Sequence, residues 1–250
     1  MTLMDSEKPL ILGHRGFRGR LENTLPAFRR ALRYADGIEF DVRLTGDGKL
    51  IVHHDDSFQA NGSRYRLRAL TLRELRKLHP LGKLVPTVEE VLRSFPEVLL
   101  NVDVKEIDAV DGITKLLERH KATENTVFSS ENPAIVRAIL TECPECRVGL
   151  SIVGYSSIPR IPLLRGMTSV HVPIDAVSYI GYQPLVVLLR TLRRRGLRVY
   201  IWNYRMDERV WIPRLLHLVD VVISDNPARL RKSFYAEGVV SRGDSYVGTR

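Results

Sequence analysis

The sequence predicts a single (β/α)8 barrel. Short apolar runs that favour strands alternate with segments of helical periodicity along the 250-residue chain. Nine strands are predicted, but one of them is the second arm of a hairpin and extends the strand before it. Eight strands remain, each followed by helical sequence. Eight β/α units in about 250 residues is the usual size of such a barrel. A doubly wound open sheet is the alternative, but the sequence contains nothing that resembles a glycine-rich dinucleotide turn.

The strands are predicted from apolar runs, and the helices from apolar residues spaced at i, i+3 and i+4. The predicted strands cover residues 9–13, 37–42, 50–54, 98–104, 126–129, 147–152, 169–172, 197–202 and 219–224. The predicted helices cover residues 24–34, 71–78, 88–94, 109–119, 133–140, 183–195, 208–218 and 228–236. The turn at residues 44–48 indicates that strand 50–54 folds back on strand 37–42. Asn23 is the start signal of the first helix, and Thr87 with Glu90 forms a capping box.

Composition excludes several classes of protein. The 44% of hydrophobic residues can build a core, yet no apolar run approaches the ~20 residues needed to cross a bilayer. The two cysteines cannot form a disulfide framework, and the N-terminus shows no secretory signal, so we expect a cytoplasmic protein. Residues 1–237 are predicted to form the barrel and residues 238–250 a flexible tail.

The net charge of +9 favours anionic partners. The arginines are spread over predicted helix faces rather than gathered in one groove, so nucleic acid is not a predicted partner. Membrane contact is expected to be peripheral at most, and the sequence does not specify an oligomeric state. Cys143 and Cys146 lack a second cysteine pair or a nearby histidine, so free or locally paired thiols are favoured over a zinc site.

Ionisable side chains gather where the first three strands of the predicted barrel end. In a (β/α)8 barrel the catalytic groups lie at the carboxyl ends of the strands. The residues at or just after these ends are His14, Arg15, Glu39, Asp41, His54, Asp103 and Lys105. Residues two apart on a strand point to the same face, which brings Glu39 together with Asp41. The sequence therefore predicts one charged cluster at the barrel mouth.

Three carboxylates in this cluster predict a metal site. Glu39, Asp41 and Asp103 would repel one another strongly unless a cation or protons neutralised them. Oxygen ligands suit a hard divalent ion such as Mg²⁺ or Ca²⁺.

Two histidines flank the predicted metal site and favour phosphate ester chemistry. His14 and His54 can exchange protons near neutral pH, so one can activate a nucleophile while the other protonates the leaving oxygen. Arg15 and Lys105 supply fixed positive charge, which suits the developing charge on phosphoryl oxygens.

A series of short motifs covers the chain from residue 11 to about residue 230. In order they are His14-Arg-Gly16, Glu22-Asn-Thr24, Glu39-x-Asp41-Val42, His54-Asp55, Pro86-Thr-Val-Glu-Glu90, Asn101-x-Asp103-x-Lys105 and Ser224-Asp-Asn-Pro227. Each motif is weak alone, but the ordered set resembles the glycerophosphodiester phosphodiesterase family.

The resemblance implies a metal-dependent phosphodiesterase that releases glycerol 3-phosphate and an alcohol from glycerophosphodiesters. One divalent metal ion is expected, with Mg²⁺ as the first choice and Ca²⁺ or Mn²⁺ as alternatives. The positions that match the family's functional residues are the acid/base pair His14 and His54, the metal ligands Glu39, Asp41 and Asp103, the phosphate contacts Arg15 and Lys105, the loop or glycerol contact Glu22, and the pocket wall Trp202.

The sequence departs from the family pattern at three places. Asp103 stands where the family usually has Glu, which shortens one expected metal ligand by a methylene group. Asn203 follows Trp202 where the family tends to have Thr-x-Asn, which affects substrate choice. The segment 57–86 is short. The family often inserts a subdomain here that covers the substrate, so we expect a more open site.

Several alternatives stay open at this point. The sequence does not decide which histidine is the acid, whether water or a glycerol hydroxyl attacks, or which headgroup is preferred. Lysophospholipids are a further candidate substrate. The rival enzyme is a lysophospholipase D-like or phospholipase C-like barrel that acts on lipid at a membrane surface. A phosphate-binding barrel without catalysis is the rival from another class.

Overall fold

The computed structural model describes residues 9–236, without the side chains of Tyr155, Tyr235 and Ala236. The tail predicted at residues 238–250 lies outside the described residues. Within them, strands and helices alternate as the sequence predicted.

Eight parallel strands close into a barrel, which confirms the predicted fold class. In order around the barrel they are β1 (Leu10–Gly13), β2 (Gly37–Leu44), β6 (Leu99–Val104), β7 (Thr126–Ser130), β8 (Arg147–Ser151), β9 (Ser169–Pro173), β10 (Arg198–Trp202) and β11 (Val221–Ser224). The barrel closes because β1 pairs in parallel with both β11 and β2. All eight strands therefore bring their carboxyl ends to the same mouth.

The hairpin predicted after β2 is present. Strand β3 (Leu50–Val52) pairs antiparallel with the end of β2, with Val42 opposite Val52. This strand is shorter than predicted, because His53 and His54 lie beyond its last residue. The hairpin carries His54 back toward the barrel mouth.

Successive side chains of a barrel strand point alternately toward the surrounding helices and into the barrel. On β2, Ile38, Phe40 and Val42 are fully buried in the main core between sheet and helices. Glu39 and Asp41 point to the opposite face, into the barrel. Deeper in the barrel lies a small apolar plug of buried residues, formed by Leu12, Val127, Tyr200, Val221 and Ile223. The acidic residues of β2 thus lie above an apolar floor.

A layer of helices surrounds the barrel. The helices are α1 (Leu25–Ala31), α2 (Leu72–Leu78), α3 (Val88–Ser94), α4 (Val110–Arg119), α5 (Pro133–Glu142), α6 (Ala176–Ile180), α7 (Tyr182–Arg194), α8 (Glu208–Leu215) and α9 (Pro227–Ala236). The predicted helix at 24–34 is shorter, and its N-cap is Thr24, whose hydroxyl accepts the N–H of Ala27. The sequence reasoning missed α6.

The short segment between β3 and α3 folds on itself. It contains the hairpin β4 (Ser57–Ala60) and β5 (Ser63–Arg66), the helix α2, and short 3₁₀ turns at Leu67–Ala69 and Gly82–Leu84. We call residues 57–86 the inserted segment. It has its own small core, in which Phe58, Leu67 and Leu75 are buried. None of its residues lines the cavity at the barrel mouth, which agrees with the expectation of an open site.

Two further predictions concern the cysteines and the membrane. Cys143 and Cys146 form a disulfide at the end of α5, so the thiols are locally paired. Over residues 9–236 we find no helix with the length and apolar character of a membrane span. The cytoplasmic location stays a prediction from the sequence.

Candidate active site

A cavity of about 530 Å³ opens at the carboxyl ends of the barrel strands. It brings together eight of the nine residues that the sequence singled out: His14, Arg15, Glu39, Asp41, His54, Asp103, Lys105 and Trp202. Glu22 is the exception. It does not line the cavity but accepts a hydrogen bond from Arg15 Nη1 at 2.6 Å, so it braces the loop.

The turn after β1 aims the backbone of Arg15 at Glu39. Gly13 permits the tight turn, because a Cβ there would lie 2.4 Å from the carbonyl oxygen of Gly16. Arg15 adopts a left-handed backbone conformation with φ of 48°, which is unusual for a residue with a side chain. In this conformation the Arg15 N–H donates to Glu39 Oε2 at 2.9 Å.

Glu39 and Asp41 experience opposite electrostatic environments. Burial, and then the neighbouring charge of Asp41, raise the pKa of Glu39 to about 7. Burial alone would also raise the pKa of Asp41, but the charges of Lys105 and Arg15 outweigh it and hold that pKa well below its usual range. Of these two carboxylates, Glu39 is the one whose negative charge the surrounding protein compensates less.

Lys105 joins the carboxylates of two neighbouring strands. Asp41 and Asp103 lie opposite each other in the β2–β6 register. Lys105 Nζ lies 3.0 Å from Asp41 Oδ1 and donates a short hydrogen bond to Asp103 Oδ2. The Ser129 hydroxyl donates to the other oxygen of Asp103 at 2.8 Å. Burial alone would lower the pKa of Lys105, but these two aspartates raise it, so the amine stays protonated.

Asp225 orients His14, which the sequence reasoning missed. His14 Nδ1 lies 2.5 Å from Asp225 Oδ1, and Arg18 donates to the other oxygen of Asp225 at 3.1 Å. A carboxylate accepts only, so the proton lies on Nδ1 and leaves Nε2 free at the cavity. Asp225 immediately follows β11, so the strand-end rule that found the other residues also applies to it.

The charges around His14 favour its protonated form. Burial lowers the pKa of His14, but the charge of Glu39 and the hydrogen bond to Asp225 outweigh burial and raise it. His14 Nε2 lies 3.9 Å from Glu39 Oε2. The imidazole can therefore hold a proton beside a bound phosphate ester.

Asn23 contributes to the site rather than to the helix end. It adopts a left-handed backbone conformation with φ of 58°, and its side-chain N–H donates to Asp41 Oδ2 at 2.9 Å. The sequence predicted that Asn23 starts the first helix, but the N-cap is the next residue, Thr24. Two left-handed residues, Arg15 and Asn23, thus hold the two carboxylates of β2.

His54 is the more accessible of the two predicted catalytic histidines. Its side chain is 41% exposed, against 9% for His14. His54 Nδ1 lies 2.7 Å from Asp55 Oδ1. Its carbonyl oxygen accepts the Nε–H of Arg43 at 2.6 Å. The loop that carries His54 is thus tied to the end of β2.

The opposite side of the cavity is aromatic and aliphatic. Trp202 ends β10 as predicted and packs against Tyr204 with ring centroids 4.2 Å apart. Val153 lines the cavity from the loop after β8. The indole N–H of Trp202 is buried and makes no hydrogen bond within the described part of the chain. Trp202 contributes an aromatic wall to the cavity.

The three predicted metal ligands lie in one cavity without forming a closed ligand set. In residues 9–236, no three His, Cys, Asp or Glu side chains are arranged so that they could hold a metal ion. The protein's own cation, Lys105, bonds to both Asp41 and Asp103.

Comparison with known proteins identifies the family. The family model described as "Glycerophosphoryl diester phosphodiesterase family" matches residues 14–229. A glycerophosphodiester phosphodiesterase of Caldanaerobacter subterraneus subsp. tengcongensis is 30% identical over 244 residues, which cover 89% of this chain and 96% of that protein. A lysophospholipase D of Homo sapiens is 25% identical and covers 88% of this chain and 84% of that protein.

Solved structures agree with this result. The glycerophosphodiester phosphodiesterase of Thermotoga maritima superposes with a TM-score of 0.77 at 27% identity, covering 91% of this chain and 99% of that one. A phosphodiesterase of Oleispira antarctica, in complex with the product sn-glycerol-3-phosphate, has a TM-score of 0.75 at 21% identity and shares the fold; it covers 91% of this chain and 97% of that one. The chain belongs to the glycerophosphoryl diester phosphodiesterase family, which confirms the resemblance seen in the sequence.

Proposed function

We propose that the protein is a metal-dependent enzyme that hydrolyses glycerophosphodiesters to glycerol 3-phosphate and an alcohol, with His14 and His54 as the acid/base pair. One observation carries the proposal: both histidines line a single cavity together with three buried carboxylates and the cations Arg15 and Lys105. A site that only binds phosphate has no need of two groups that transfer protons. The comparisons favour this reaction over action on lipid at a membrane surface.

The two histidines differ in how they are held. Asp225 fixes the His14 tautomer, so His14 Nε2 is the atom that would give or take a proton. His54 has its Nδ1 bonded to the Asp55 carboxylate, which leaves its Nε2 for the substrate in the same way. The two rings can then serve the attacking and the leaving oxygen in turn.

Arg15 and Lys105 are the groups proposed to bind the phosphate. Both are cations at the cavity, and both are held by acidic neighbours. Glu22 bonds to Nη1 of Arg15, whereas Asp41 faces its Nε. A pre-oriented guanidinium stabilises charge on phosphoryl oxygens without reorganising during the reaction.

Glu39, Asp41 and Asp103 do not form a closed ligand set in the structure, and they are proposed to hold the metal ion once Lys105 releases Asp41 and Asp103. Their donor atoms are all oxygen, which fits Mg²⁺ first and Ca²⁺ or Mn²⁺ as alternatives. The raised pKa of Glu39, caused by burial and by the charge of Asp41, is consistent with a site that lacks one positive charge. When bound, the ion would stabilise negative charge on the phosphoryl oxygens.

The test is release of glycerol 3-phosphate from glycerophosphocholine and glycerophosphoethanolamine. We expect the metal-stripped protein to be inactive and one of Mg²⁺, Mn²⁺ or Ca²⁺ to restore turnover. His14→Ala should abolish the restored activity, whereas His217→Ala, at an exposed histidine outside the cavity, should retain it. Full turnover without metal would refute the metal proposal, and turnover by His14→Ala would refute the catalytic assignment.

A second group of substrates is favoured by an apolar groove beside the cavity. The groove has a volume of about 270 Å³ and shares Val153 and Tyr204 with the cavity. Its acidic lining residue, Asp175, already accepts three backbone N–H groups from residues 204–206. Its other walls include Ile152, Ile158, Ala176 and Leu188. Such a lining fits an aliphatic chain, so we propose that monomeric lysophospholipids are also hydrolysed.

Short-chain substrates test this groove without forming micelles. Each methylene group buried in the groove should lower KM about two- to fourfold, since burial of a methylene contributes up to ~0.8 kcal/mol. We would compare glycerophosphocholine with its 1-hexanoyl and 1-octanoyl derivatives. Ala176→Phe should fill the groove and remove the dependence on chain length while leaving glycerophosphocholine turnover unchanged. A KM that does not depend on chain length in the unaltered protein would refute the proposal.

A further inference from the structure

His53 and His79 form a hydrogen-bonded pair next to His54. His53 is the first residue after β3 and, unlike His54, does not line the cavity. Its Nε2 lies 3.2 Å from Nε2 of His79, the residue that follows α2 in the inserted segment. The two rings meet edge to face, with centroids 5.3 Å apart. His79 thus brings the inserted segment into contact with the residue that precedes His54.

The other contacts of the two rings define both tautomers. His53 Nδ1 lies 2.9 Å from the carbonyl oxygen of Asp55, which only accepts, so His53 carries its proton on Nδ1. His79 Nδ1 accepts the backbone N–H of Leu81 at 3.1 Å, so His79 carries its proton on Nε2. His79 therefore donates to the unprotonated Nε2 of His53. Each ring nitrogen has one partner only when both imidazoles are neutral.

The surroundings of His79 agree with a neutral ring. Burial lowers the pKa of His79 to about 4. The His79 ring also packs against Phe58, with centroids 4.6 Å apart. Phe58 belongs to the small core of the inserted segment, which anchors His79 from behind.

The pair contacts the loop that carries His54. The His53 ring holds the carbonyl of Asp55, and Arg43 holds the carbonyl of His54. The two peptide units that flank the Cα of Asp55 are therefore constrained, one by Arg43 on β2 and the other by His53, which is itself held by His79. The Asp55 carboxylate in turn contacts His54 Nδ1 at 2.7 Å. A shift of this loop would move the His54 imidazole directly.

We propose that His53 and His79 are positioning residues, which hold the His54 loop in the geometry that proton transfer requires. The inserted segment therefore supports the catalytic loop from the side instead of covering the substrate. The inference rests on the proposed role of His54. Because the pair acts on the orientation of a proton-transferring group and not on substrate contacts, its loss should lower kcat and leave KM nearly unchanged.

The kinetic test uses two substitutions of His79. His79→Phe keeps the ring packing against Phe58 but removes the N–H donor, and we expect kcat for glycerophosphocholine to fall about tenfold with KM changed less than twofold. His79→Gln restores a side-chain N–H donor and should recover most of the lost kcat. Leu78→Ala is the matched control, because it weakens the same small core without touching the pair.

A spectroscopic test is independent of activity. In protein labelled with ¹⁵N-histidine, the nitrogen shifts should report a neutral Nδ1–H tautomer for His53 and a neutral Nε2–H tautomer for His79. The shifts of the His53 nitrogens should change in His79→Phe. This measurement distinguishes failure of the pair from failure of the proposed function, which would appear as unchanged activity in His54→Ala.

Three results would overturn the inference. The first is a kcat in His79→Phe equal to that of the unaltered protein. The second is a kcat in Leu78→Ala that falls as far as in His79→Phe, since the effect would then be general destabilisation. The third is the opposite pair of tautomers, or a protonated ring, at neutral pH.

Discussion

The two sides of the barrel mouth are built in opposite ways. On the side of β1, β2 and β6, the ionisable groups are buried; Glu39, Asp41 and Asp103 are 4%, 2% and 8% exposed. On the side of the loops after β8 and β10, Val153 and Tyr204 are 45% and 46% exposed. We call these the charged side and the apolar side.

The difference shows that the side chains of the charged side are oriented before a substrate binds. Burying a charge is costly unless partners surround it, so each group on the charged side is held by hydrogen bonds or ion pairs from other elements. Exposed apolar side chains carry no such requirement and can adapt to different substrates. We therefore expect substitutions on the charged side to change turnover, and those on the apolar side to change substrate preference.

The largest effect is expected at Asp225. Asp225→Asn removes the carboxylate that fixes the His14 tautomer, and we expect kcat to fall by about a thousandfold, because an amide can stabilise the wrong tautomer. The measurement is steady-state hydrolysis of glycerophosphocholine, with the folded state checked by thermal unfolding.

Asp36→Asn provides the control for Asp225. Asp36 accepts the N–H of Ile11 and pairs with Arg231, so like Asp225 it is a partly buried aspartate with more than one partner, but neither of its partners lines the cavity. Its substitution should cost stability without lowering kcat. Equal losses of kcat in the two variants would contradict the claim that only the aspartate bound to His14 affects turnover.

A smaller effect is expected on stability at Glu208. Its carboxylate accepts the Ser224 hydroxyl, and its second oxygen has no hydrogen-bond partner in the described residues. Burial raises the pKa of Glu208 to about 7. The folded state therefore retains a proton that the unfolded state releases, so the free energy of unfolding should fall as the pH rises from about 4.5 to about 7.

Urea unfolding across this pH range measures that contribution. The expected decrease is roughly 3 kcal/mol, because each unit of pKa difference corresponds to about 1.4 kcal/mol. Glu208→Gln cannot release a proton, so this part of the pH dependence should disappear. The prediction fails if the variant and the unaltered protein lose stability in parallel.

The smallest effect is expected on the apolar side. Tyr204→Ser removes an aromatic wall shared by the cavity and the groove, and we expect KM to rise about threefold at constant kcat. Tyr34→Ser alters a tyrosine of similar exposure, 39%, that lines neither space, and should leave both constants unchanged. A large loss of kcat in Tyr204→Ser would show that the apolar side takes part in the chemistry.

Much of this arrangement could be predicted from the sequence. The alternation of strands and helices determined the barrel, and the carboxyl ends of its strands then located Glu39, Asp41 and Asp103 at one mouth. The two-residue spacing of Glu39 and Asp41 placed both on the inner face, as the structure shows.

The contacts that orient these groups could not be predicted from the sequence. Asp225 lies 211 residues from His14, and only closure of the barrel brings them together. The role of Asn23 depends on a left-handed backbone conformation that its sequence neighbours do not indicate. His79 lies in an irregular segment whose path is determined by a small separate core, which periodicity does not reveal.

The central claim is that His14 and His54 divide the acid and base roles. The most direct measurement compares His14→Ala and His54→Ala on glycerophosphocholine and on a glycerophosphodiester with a 4-nitrophenyl leaving group. Both variants should lose at least about a hundredfold in turnover of glycerophosphocholine. The nitrophenolate needs no protonation to leave, so one variant, that of the acid, should regain most of its activity on the second substrate while the other should not. Loss of activity in neither variant, or recovery of both, would contradict the account.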